Sequence, residues 1–373
     1  MARLTDLGGQ LQSGEKSFNI IGNKKKFFIA SGVLLLVAVL GLAFRGLDRG
    51  VEFKGGAVFD AKAQGISVAD VRGAVEDAGA KEPKVQKLGS DRVRVETGAL
   101  QEGQAAKIRD AMSKRLGIPA EEIDQQIVGP SWGSDISHKA VKSLIIFLFL
   151  LAIYLGIVFE WKLAVGALIA LIHDVAITVG IYAVVGFTVS PATVIGLLTI
   201  LGYSLYDTVV VYDKLKENTA NLTNANRYTY SSAANMAINQ TLIRSINTSL
   251  IALLPVAGLL FVGAGLLGAG VLKDLALVLF VGMAVGAYSS IFIATPLVAL
   301  MKEREPEMQA LAKRVAQRQA AGKDVRPSPE AIDGEATDAV PAPAGVPARP
   351  AAAPGERVQP KRAPRARRPP PQK

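Results

Sequence analysis

Residues 27–44 read FFIASGVLLLVAVLGLAF, an apolar run without a charged side chain. About 20 such residues cross a bilayer, with about 17 as a lower limit, so this run predicts a membrane span. Three lysines at positions 24–26 precede it, and Arg45 follows it. We expect a retained span and not a cleaved signal peptide, because the run is long and no A-x-A cleavage pattern follows it.

Five more apolar stretches lie further along the chain. They predict spans over residues 141–159, 163–186, 191–212, 244–262 and 275–300. Half of the 373 residues are hydrophobic and the mean hydropathy is positive, which is unusual for a soluble domain. The sequence therefore predicts an integral membrane protein with six transmembrane helices.

Residues 45–139, between the first two spans, have the composition of a water-soluble domain. Alternation and turn residues predict four strands, over 51–63, 84–87, 92–96 and 122–128, and two helices, over 68–78 and 101–116. The order β-α-β-β-α-β is typical of a ferredoxin-like sandwich. The predicted fold is a six-helix membrane bundle that carries a small α+β domain.

Positive charge predicts the orientation. The basic side chains of Lys24–Lys26, Lys162, Lys214, Lys216 and the C-terminal tail fall on one side, which we expect to be cytoplasmic. The predicted order is a cytoplasmic N-terminus (1–26), a first span (27–44), an extracytoplasmic domain (45–139), a bundle (140–301) and a disordered basic cytoplasmic tail (302–373).

The tail begins with a charged stretch that is compatible with a helix and then becomes rich in alanine, proline and arginine. Such a segment buries too little apolar surface to fold alone, so a solvated tail is the simpler interpretation. The alternative is that its basic end touches anionic lipid or ribosomal RNA.

Ionisable side chains inside a span cost about 2.5–3.5 kcal/mol on insertion scales, so each is a candidate site residue. The sequence places His173 and Asp174 in the third span, Asp207 in the fourth and Arg244 in the fifth. The polar residues around them are Tyr203, Ser204, Thr208, Asp213, Asn239, Gln240 and Asn247.

Asp207 and Arg244 are predicted to lie at matched depth. Asp207 follows Ser190 by 17 residues and Arg244 precedes Val262 by 18, which puts both about 26 Å from the outer face at about 1.5 Å per residue. Two interpretations stay open. One is a proton relay in which Asp207 takes up and releases a proton while Arg244 competes for its charge; the other is a static ion pair, or an arginine that only reaches the interface.

His173 and Asp174, in the third span, also have structural interpretations. We expect His173 to be a structural residue that hydrogen-bonds Asp174 or a carbonyl. Asp174 either supplies packing polarity or joins the relay. In the last span, small residues recur at steps of four, at Gly282, Gly286, Ser290 and Ala294, which predicts close helix packing and not chemistry.

Several kinds of chemistry are excluded by absent residues. There is no cysteine, so disulfides and thiolate catalysis are excluded. No G-x-x-x-x-G-K-[ST] or H-E-x-x-H motif is present, so we expect neither an ATPase nor another enzyme, and no cofactor. Two histidines also argue against a histidine-based metal site.

Two stretches resemble the SecF family. Residues 201–218, LGYSLYDTVVVYDKLKEN, resemble its G-Y-S-x-N-D-T-V-V…D-R-x-R-E-N signature, and residues 237–249, AINQTLIRSINTS, resemble its N-Q-T-L-x-R-T-x-N-T-S element. Shorter matches are EFKGG (52–56), VGP (128–130), FEW (159–161) and ALIHD (170–174). Tyr206 stands where the family usually has asparagine beside the aspartate.

The resemblance implies a subunit that pairs with SecD in a pseudo-symmetric, twelve-span assembly related to the RND transporters. It implies association with the SecYEG channel and YajC in the bacterial cytoplasmic membrane, where SecA drives the preprotein with ATP. SecDF would then use the proton gradient, or sodium in some bacteria, to complete export. Asp207 and Arg244 match family positions implicated in the ion pathway.

Two other functions remain open at this point. One is half of an RND-like exporter of small molecules, although a single domain of about 80 residues is small for a ligand cavity. The other is a structural subunit of the translocon that moves no ions. Membrane lipid is an expected partner in every case, and no specific nucleic acid is expected.

Overall fold

A computed structural model shows the protein over residues 9–11, 16–63, 65, 67–89, 91–225, 227–266 and 270–321. Residues 322–373 lie outside these ranges, so most of the predicted tail lies outside the described residues. Within these ranges, six helices are long and apolar enough to cross a membrane. This confirms the predicted six-span fold.

The spans are named in chain order. The first four are Lys24–Phe44, Pro130–Val158, Trp161–Val185 and Pro191–Thr219. The fifth is Tyr230–Ala257, which continues as a π-helix over Gly258–Leu266. The sixth combines an α-helix (Gly270–Ser289), a π-helical turn (Ser290–Ala294) and a second α-helix (Thr295–Lys302).

Three spans extend beyond their apolar segments. The second begins at Pro130 and not at 141, the fourth ends at Thr219 and not at 212, and the fifth begins at Tyr230 and not at 244. A helix continues past the apolar stretch because each further residue adds a backbone hydrogen bond, and the added turns of the fifth span also bury Ala233, Ala237 and Ile238 in the core. Residues 130–139, expected in the soluble domain, are therefore the first turns of the second span.

The turn between the third and fourth spans has clear local causes. The third span ends at Gly186, whose φ of 83° suits glycine, and a helix-stopping left-handed residue is common there. The fourth begins with a capping box in which Ser190 and Thr193 exchange side-chain-to-backbone hydrogen bonds, with Pro191 in the first turn. These signals fix where the chain re-enters the bundle.

The soluble domain has the predicted connectivity. Outside the spans, helices and strands are labelled in chain order: β1 (Asp48–Arg49), α1 (Val51–Lys54), β2 (Gly56–Lys62), α2 (Val68–Asp77), β3 (Lys84–Leu88), β4 (Arg92–Thr97), α3 (Gln104–Leu116) and β5 (Asp124–Val128). The four-stranded sheet has the order β3-β4-β2-β5, and every pair is antiparallel. Together with helices α2 and α3, this is a ferredoxin-like arrangement.

One expectation about the domain was wrong. Residues 51–63 were predicted as one strand region, but residues 51–54 form α1 and only Gly56–Lys62 is a strand. Gly55 and Gly56 have φ values of 79° and 149°, and this backbone geometry separates the helix from the strand. The core beneath the sheet is built around the fully buried Phe59 and Ile108.

The domain is attached to the bundle by a short parallel ladder. Strand β1 pairs with β6 (Thr188–Val189), which lies between the third and fourth spans. The Lys84 ammonium donates to Asp48 and, at 2.6 Å, to the Thr188 hydroxyl. A polar cavity of about 410 Å³ separates the sheet from the bundle here, and its lining includes Glu52, Asp60, Arg94, Glu96, Ser190 and Asp274.

The other end of the bundle holds both ends of the described chain. Three ion pairs with N–O distances of 2.7 Å join the ends of the spans there: Lys24–Glu303, Lys162–Glu305 and Lys302–Glu160. Because Lys24 and Glu303 are in contact, the segments before the first span and after the sixth lie on the same side. This is the side opposite the α/β domain.

Part of the stretch predicted to be a disordered tail is a helix. After α4 (Leu222–Ala225) and the two remaining spans, the described chain ends in helix α5 (Pro306–Ala320), inside the stretch that was assigned to the tail. Leu311 and Val315, one turn apart, are buried and belong to the core of the bundle. This apolar stripe gives residues 306–320 the buried surface that a disordered segment lacks.

Candidate functional site

Two buried carboxylates lie inside the bundle. Asp174 in the third span is 1% exposed, and Asp207 in the fourth is 4% exposed. Among the described residues, neither forms an ion pair with a lysine or arginine. An unneutralised carboxylate buried in a span is costly, so these two residues are the strongest candidates for function.

Asp174 is held by two side chains. Its Oδ2 accepts a hydrogen bond of 2.5 Å from the Ser204 hydroxyl of the fourth span, and its Oδ1 lies 3.2 Å from Nδ1 of His173. Ser204 is fully buried. The third and fourth spans are therefore joined, deep in the bundle, by a bond whose strength depends on the charge of Asp174.

Asp207 is bound to the sixth span. Its Oδ2 accepts a hydrogen bond of 2.5 Å from Ser290, the first residue of the π-helical turn Ser290–Ala294. Such turns widen the helical hydrogen-bond ladder locally and occur often at functional sites. Ser204 and Asp207 are three residues apart on the fourth span, so both carboxylate contacts share one face of that helix.

The close approach of the fourth and sixth spans depends on glycine. A Cβ on Gly286 would lie 3.0 Å from the Ser204 Cβ and 3.2 Å from its hydroxyl oxygen, and a Cβ on Gly282 would meet Ile200. The prediction of close packing by the small residues of the sixth span agrees with these contacts. Ser290, at the next step of four, was placed in the packing pattern but instead binds Asp207.

The expected pair of Asp207 with Arg244 is not formed. Arg244 is exposed on the fifth span, and within the described part of the chain its side chain has no ion pair. Matched depth does not by itself make a contact, because a helix turns by about 100° per residue and the rotation decides which face a side chain occupies. Asp207 faces the sixth span, whereas Arg244 lies on the surface of the chain.

The supporting polar residues divide into two groups. Thr208 is buried and donates to the carbonyl of Ser204 at 3.1 Å, and the buried Tyr203 hydroxyl has no partner in hydrogen-bond geometry. These two lie beside the carboxylates along the fourth span. Asp213 and Asn247 are exposed, so they lie outside the buried site of the isolated chain.

Asn239 and Gln240 were grouped with the polar residues around the candidate site, but their hydrogen bonds lie elsewhere. Asn239 accepts from the amide of Phe18 at 2.7 Å and donates to its carbonyl at 2.9 Å, as a neighbouring strand would. Gln240 accepts from Asn218 at 2.9 Å. In this chain both residues hold the side of the bundle opposite the α/β domain, away from the carboxylates.

Sequence reasoning missed three residues. Ser290 is hidden in a pattern of small residues, and its hydroxyl was the only signal. Asn235, one turn before Asn239, accepts from the amides of Ile20 and Ile21 and helps to hold the N-terminal segment. Tyr288 stacks on His173, with ring centroids 6.5 Å apart. A cavity of about 400 Å³ lies beside the segment that Asn235 and Asn239 hold.

No metal centre is indicated by the geometry. Over the described ranges, no group of three or more His, Asp or Glu side chains is placed to hold a metal ion. What the arrangement offers is two buried carboxylates, each with a hydroxyl donor and without a lysine or arginine partner among the described residues, which makes them candidates for ion coupling.

Comparison with known proteins gives a consistent result. Residues 108–304 match the family described as protein export membrane protein SecD/SecF, C-terminal. The SecF protein translocase subunit of Streptomyces coelicolor is 54% identical over 86% of this chain and 87% of its own length. That of Mycobacterium tuberculosis H37Rv is 40% identical over 87% of this chain and 76% of its own length.

The fold has a counterpart among solved structures. The crystal structure of SecDF from Thermus thermophilus, a translocon-associated membrane protein, matches with a TM-score of 0.69 at 32% identity. The match covers 78% of this chain and 39% of the SecDF chain, so the chain spans about two fifths of that protein. These similarities confirm the family resemblance, and the chain belongs to the SecF family of protein translocase subunits.

Proposed function

We propose that this chain pairs with a SecD-family subunit and uses the proton motive force to drive late steps of protein export across the bacterial cytoplasmic membrane. The observation that carries the proposal is the pair of buried carboxylates, Asp174 and Asp207, bound by serine hydroxyls and not by cations. Binding a proton removes a buried negative charge, so proton binding and the packing of three spans are coupled.

The partner is inferred from the surface of the fifth span. Arg244 and Asn247 are exposed there, and a charged side chain that faces lipid within a span is costly. A neighbouring subunit that carries a carboxylate removes this cost. The similarity to part of a longer SecDF chain supports SecD as that subunit, and extends the proposal to SecYEG, SecA, YajC and the preprotein.

The orientation follows from the lysines. Lys25, Lys26, Lys162, Lys214 and Lys216 lie at the end of the bundle opposite the α/β domain. By the positive-inside rule that end is cytoplasmic, and with it both termini. The α/β domain then faces the extracytoplasmic side, where it meets the emerging preprotein.

The test is export by cells whose only copy of the protein carries Asp207→Asn. The control is Asp213→Asn, an exposed carboxylate on the same span. Membrane levels and co-purification with SecD are checked first. We expect Asp207→Asn to reduce gradient-dependent export of a secreted reporter by about tenfold or more, because proton-transfer groups commonly contribute at least that much. Asp213→Asn should export normally.

Each result has a clear meaning. Loss of export together with loss of its dependence on the proton gradient supports Asp207 as the moving charge. Unchanged export in Asp207→Asn contradicts the relay and leaves a structural subunit. Normal protein export with lost expulsion of a small apolar cation would favour the RND-like exporter.

A further inference from the structure

His173 has a buried nitrogen without a partner. The ring is 5% exposed in the third span, its Nδ1 lies 3.2 Å from Asp174 Oδ1, and its Nε2 has no hydrogen-bond partner. An unsatisfied polar group in a membrane interior costs free energy, so such an atom calls for an explanation. A purely structural histidine would bind with both nitrogens.

The contacts define the protonation state of the ring. Asp174 accepts from Ser204 at Oδ2, so the contact at Oδ1 is satisfied when Nδ1–H of His173 donates to it. In this tautomer Nε2 carries the lone pair. The free nitrogen is therefore a proton acceptor, and its neighbouring carboxylate stabilises the imidazolium that proton binding creates.

The described surroundings of the ring hold one charged contact, Asp174. Tyr288 of the sixth span stacks on it, and the tyrosine hydroxyl is engaged by Ser31 at 3.1 Å and the Phe27 carbonyl at 3.3 Å. Among the described residues, Asp174 is the charged group in contact with the imidazole. Proton uptake turns a pair with one negative charge into a neutral ion pair, which burial favours.

We propose that Nε2 of His173 is a second proton-accepting station of the relay, next to Asp174. This inference rests on the proposed function, since it adds a station to the same site. In the step, an N–H bond forms at Nε2 as an O–H bond of a hydrated proton breaks, and no electrons are transferred. Ser204 connects this station to Asp207, because it binds Asp174 and lies one turn from Asp207 on the same helix.

The direct test observes the ring itself. The chain has two histidines, and His138 is exposed, so His138→Asn leaves His173 as the single imidazole. Its ¹⁵N resonances are followed by solid-state NMR in vesicles with the SecD partner, from about pH 5 to about pH 9, where imidazoles titrate. We expect Nε2 to change from a bare to a protonated nitrogen as pH falls.

A second variant tests the role of the carboxylate. With Asp174→Asn the signal of protonated Nε2 should weaken, because the neutral amide no longer pairs with the imidazolium. An imidazole that keeps one protonation state across the whole range overturns the inference. So does a protonated Nε2 signal that Asp174→Asn leaves unchanged.

The functional arm separates this inference from the relay as a whole. His173→Asn keeps a donor for Asp174 but does not titrate, and we expect it to lower gradient-dependent export by about tenfold and to flatten its pH profile. His138→Asn is the matched control and should export normally. If Asp207→Asn abolishes export while His173→Asn keeps the normal pH profile, the relay stands and the second station is refuted.

Discussion

Asp207 of the fourth span accepts a 2.5 Å hydrogen bond from Ser290, the residue at which the sixth span changes from an α-helix to a π-helical turn. The charge of one side chain is thereby linked to the backbone geometry of a neighbouring helix. Because a π-helical turn can be gained or lost within an α-helix, this contact is where we expect proton binding to be converted into movement.

Ser290→Ala should impair coupling. A hydrogen bond to a charged group contributes about 1.5–3 kcal/mol, so we expect its loss to displace the pH profile of export. Ser289→Ala is the control, since the Ser289 hydroxyl is buried but binds the carbonyl of Gly286. Identical pH profiles in both variants would contradict a role for the Asp207–Ser290 bond.

Gly286→Val should separate the fourth and sixth spans. The Cβ alone would lie 3.0 Å from that of Ser204, and overpacking costs about 1–3 kcal/mol. We expect a lower thermal midpoint of unfolding in detergent and weaker export. Gly202→Val is the matched control, because a Cβ on Gly202 meets no atom within 4 Å. Equal midpoints would show that this helix contact tolerates bulk.

Asn239→Ala should release the N-terminal segment without altering proton coupling. It removes both bonds to Phe18, and we expect a loss of about 1–3 kcal/mol in stability and faster hydrogen exchange over residues 17–21. Asn247→Ala, two turns further along the same span, should leave this exchange unchanged. A shifted pH profile of export in Asn239→Ala would show that Asn239 contributes to proton coupling.

Glu96 should make folding stability depend on pH. Burial raises the pKa of the Glu96 carboxyl above its ordinary value, although Lys84 and Arg94 oppose the shift. A raised native pKa means that the folded chain binds the proton more tightly, so stability falls as pH rises from the ordinary pKa through the raised one. Glu96→Gln should remove this fall and stabilise the chain at neutral pH.

The measurement is thermal unfolding of the full chain in detergent at a series of pH values. Glu121→Gln is the control, since that carboxyl is exposed on a 3-10 turn. Parallel stability curves for the unchanged chain and Glu96→Gln would count against a half-buried, protonatable Glu96.

Lys84→Met should loosen the α/β domain. The ammonium bridges Asp48 and Thr188, which stand opposite each other in the β1–β6 ladder. Without it we expect hydrogen exchange at residues 48–50 and 188–190 to accelerate several-fold, because a hydrogen bond to a charged group contributes about 1.5–3 kcal/mol. Lys87→Met, an exposed lysine on the same strand, should leave exchange there unaltered.

Secondary structure and its order were predictable from the sequence. The apolar runs predicted six spans because a bilayer accepts only long apolar helices, and alternation within residues 45–139 predicted the β-α-β-β-α-β order. The buried acids Asp174 and Asp207 were also identified by sequence alone, since a charge inside a span is rare whatever its partners are. Span ends were predicted less well, because helical turns continue beyond the apolar segments that define a span.

The partners of those acids were decided by tertiary structure. Depth along a helix can be counted in residues, but contact also depends on rotation about the axis and on which helices are neighbours. That is why Asp207 is bound by Ser290 and not by Arg244, and why Asn239 holds Phe18. The sequence by itself determined that this chain crosses a membrane with acids in its interior. The packing of the third, fourth and sixth spans decided which hydroxyls those acids bind.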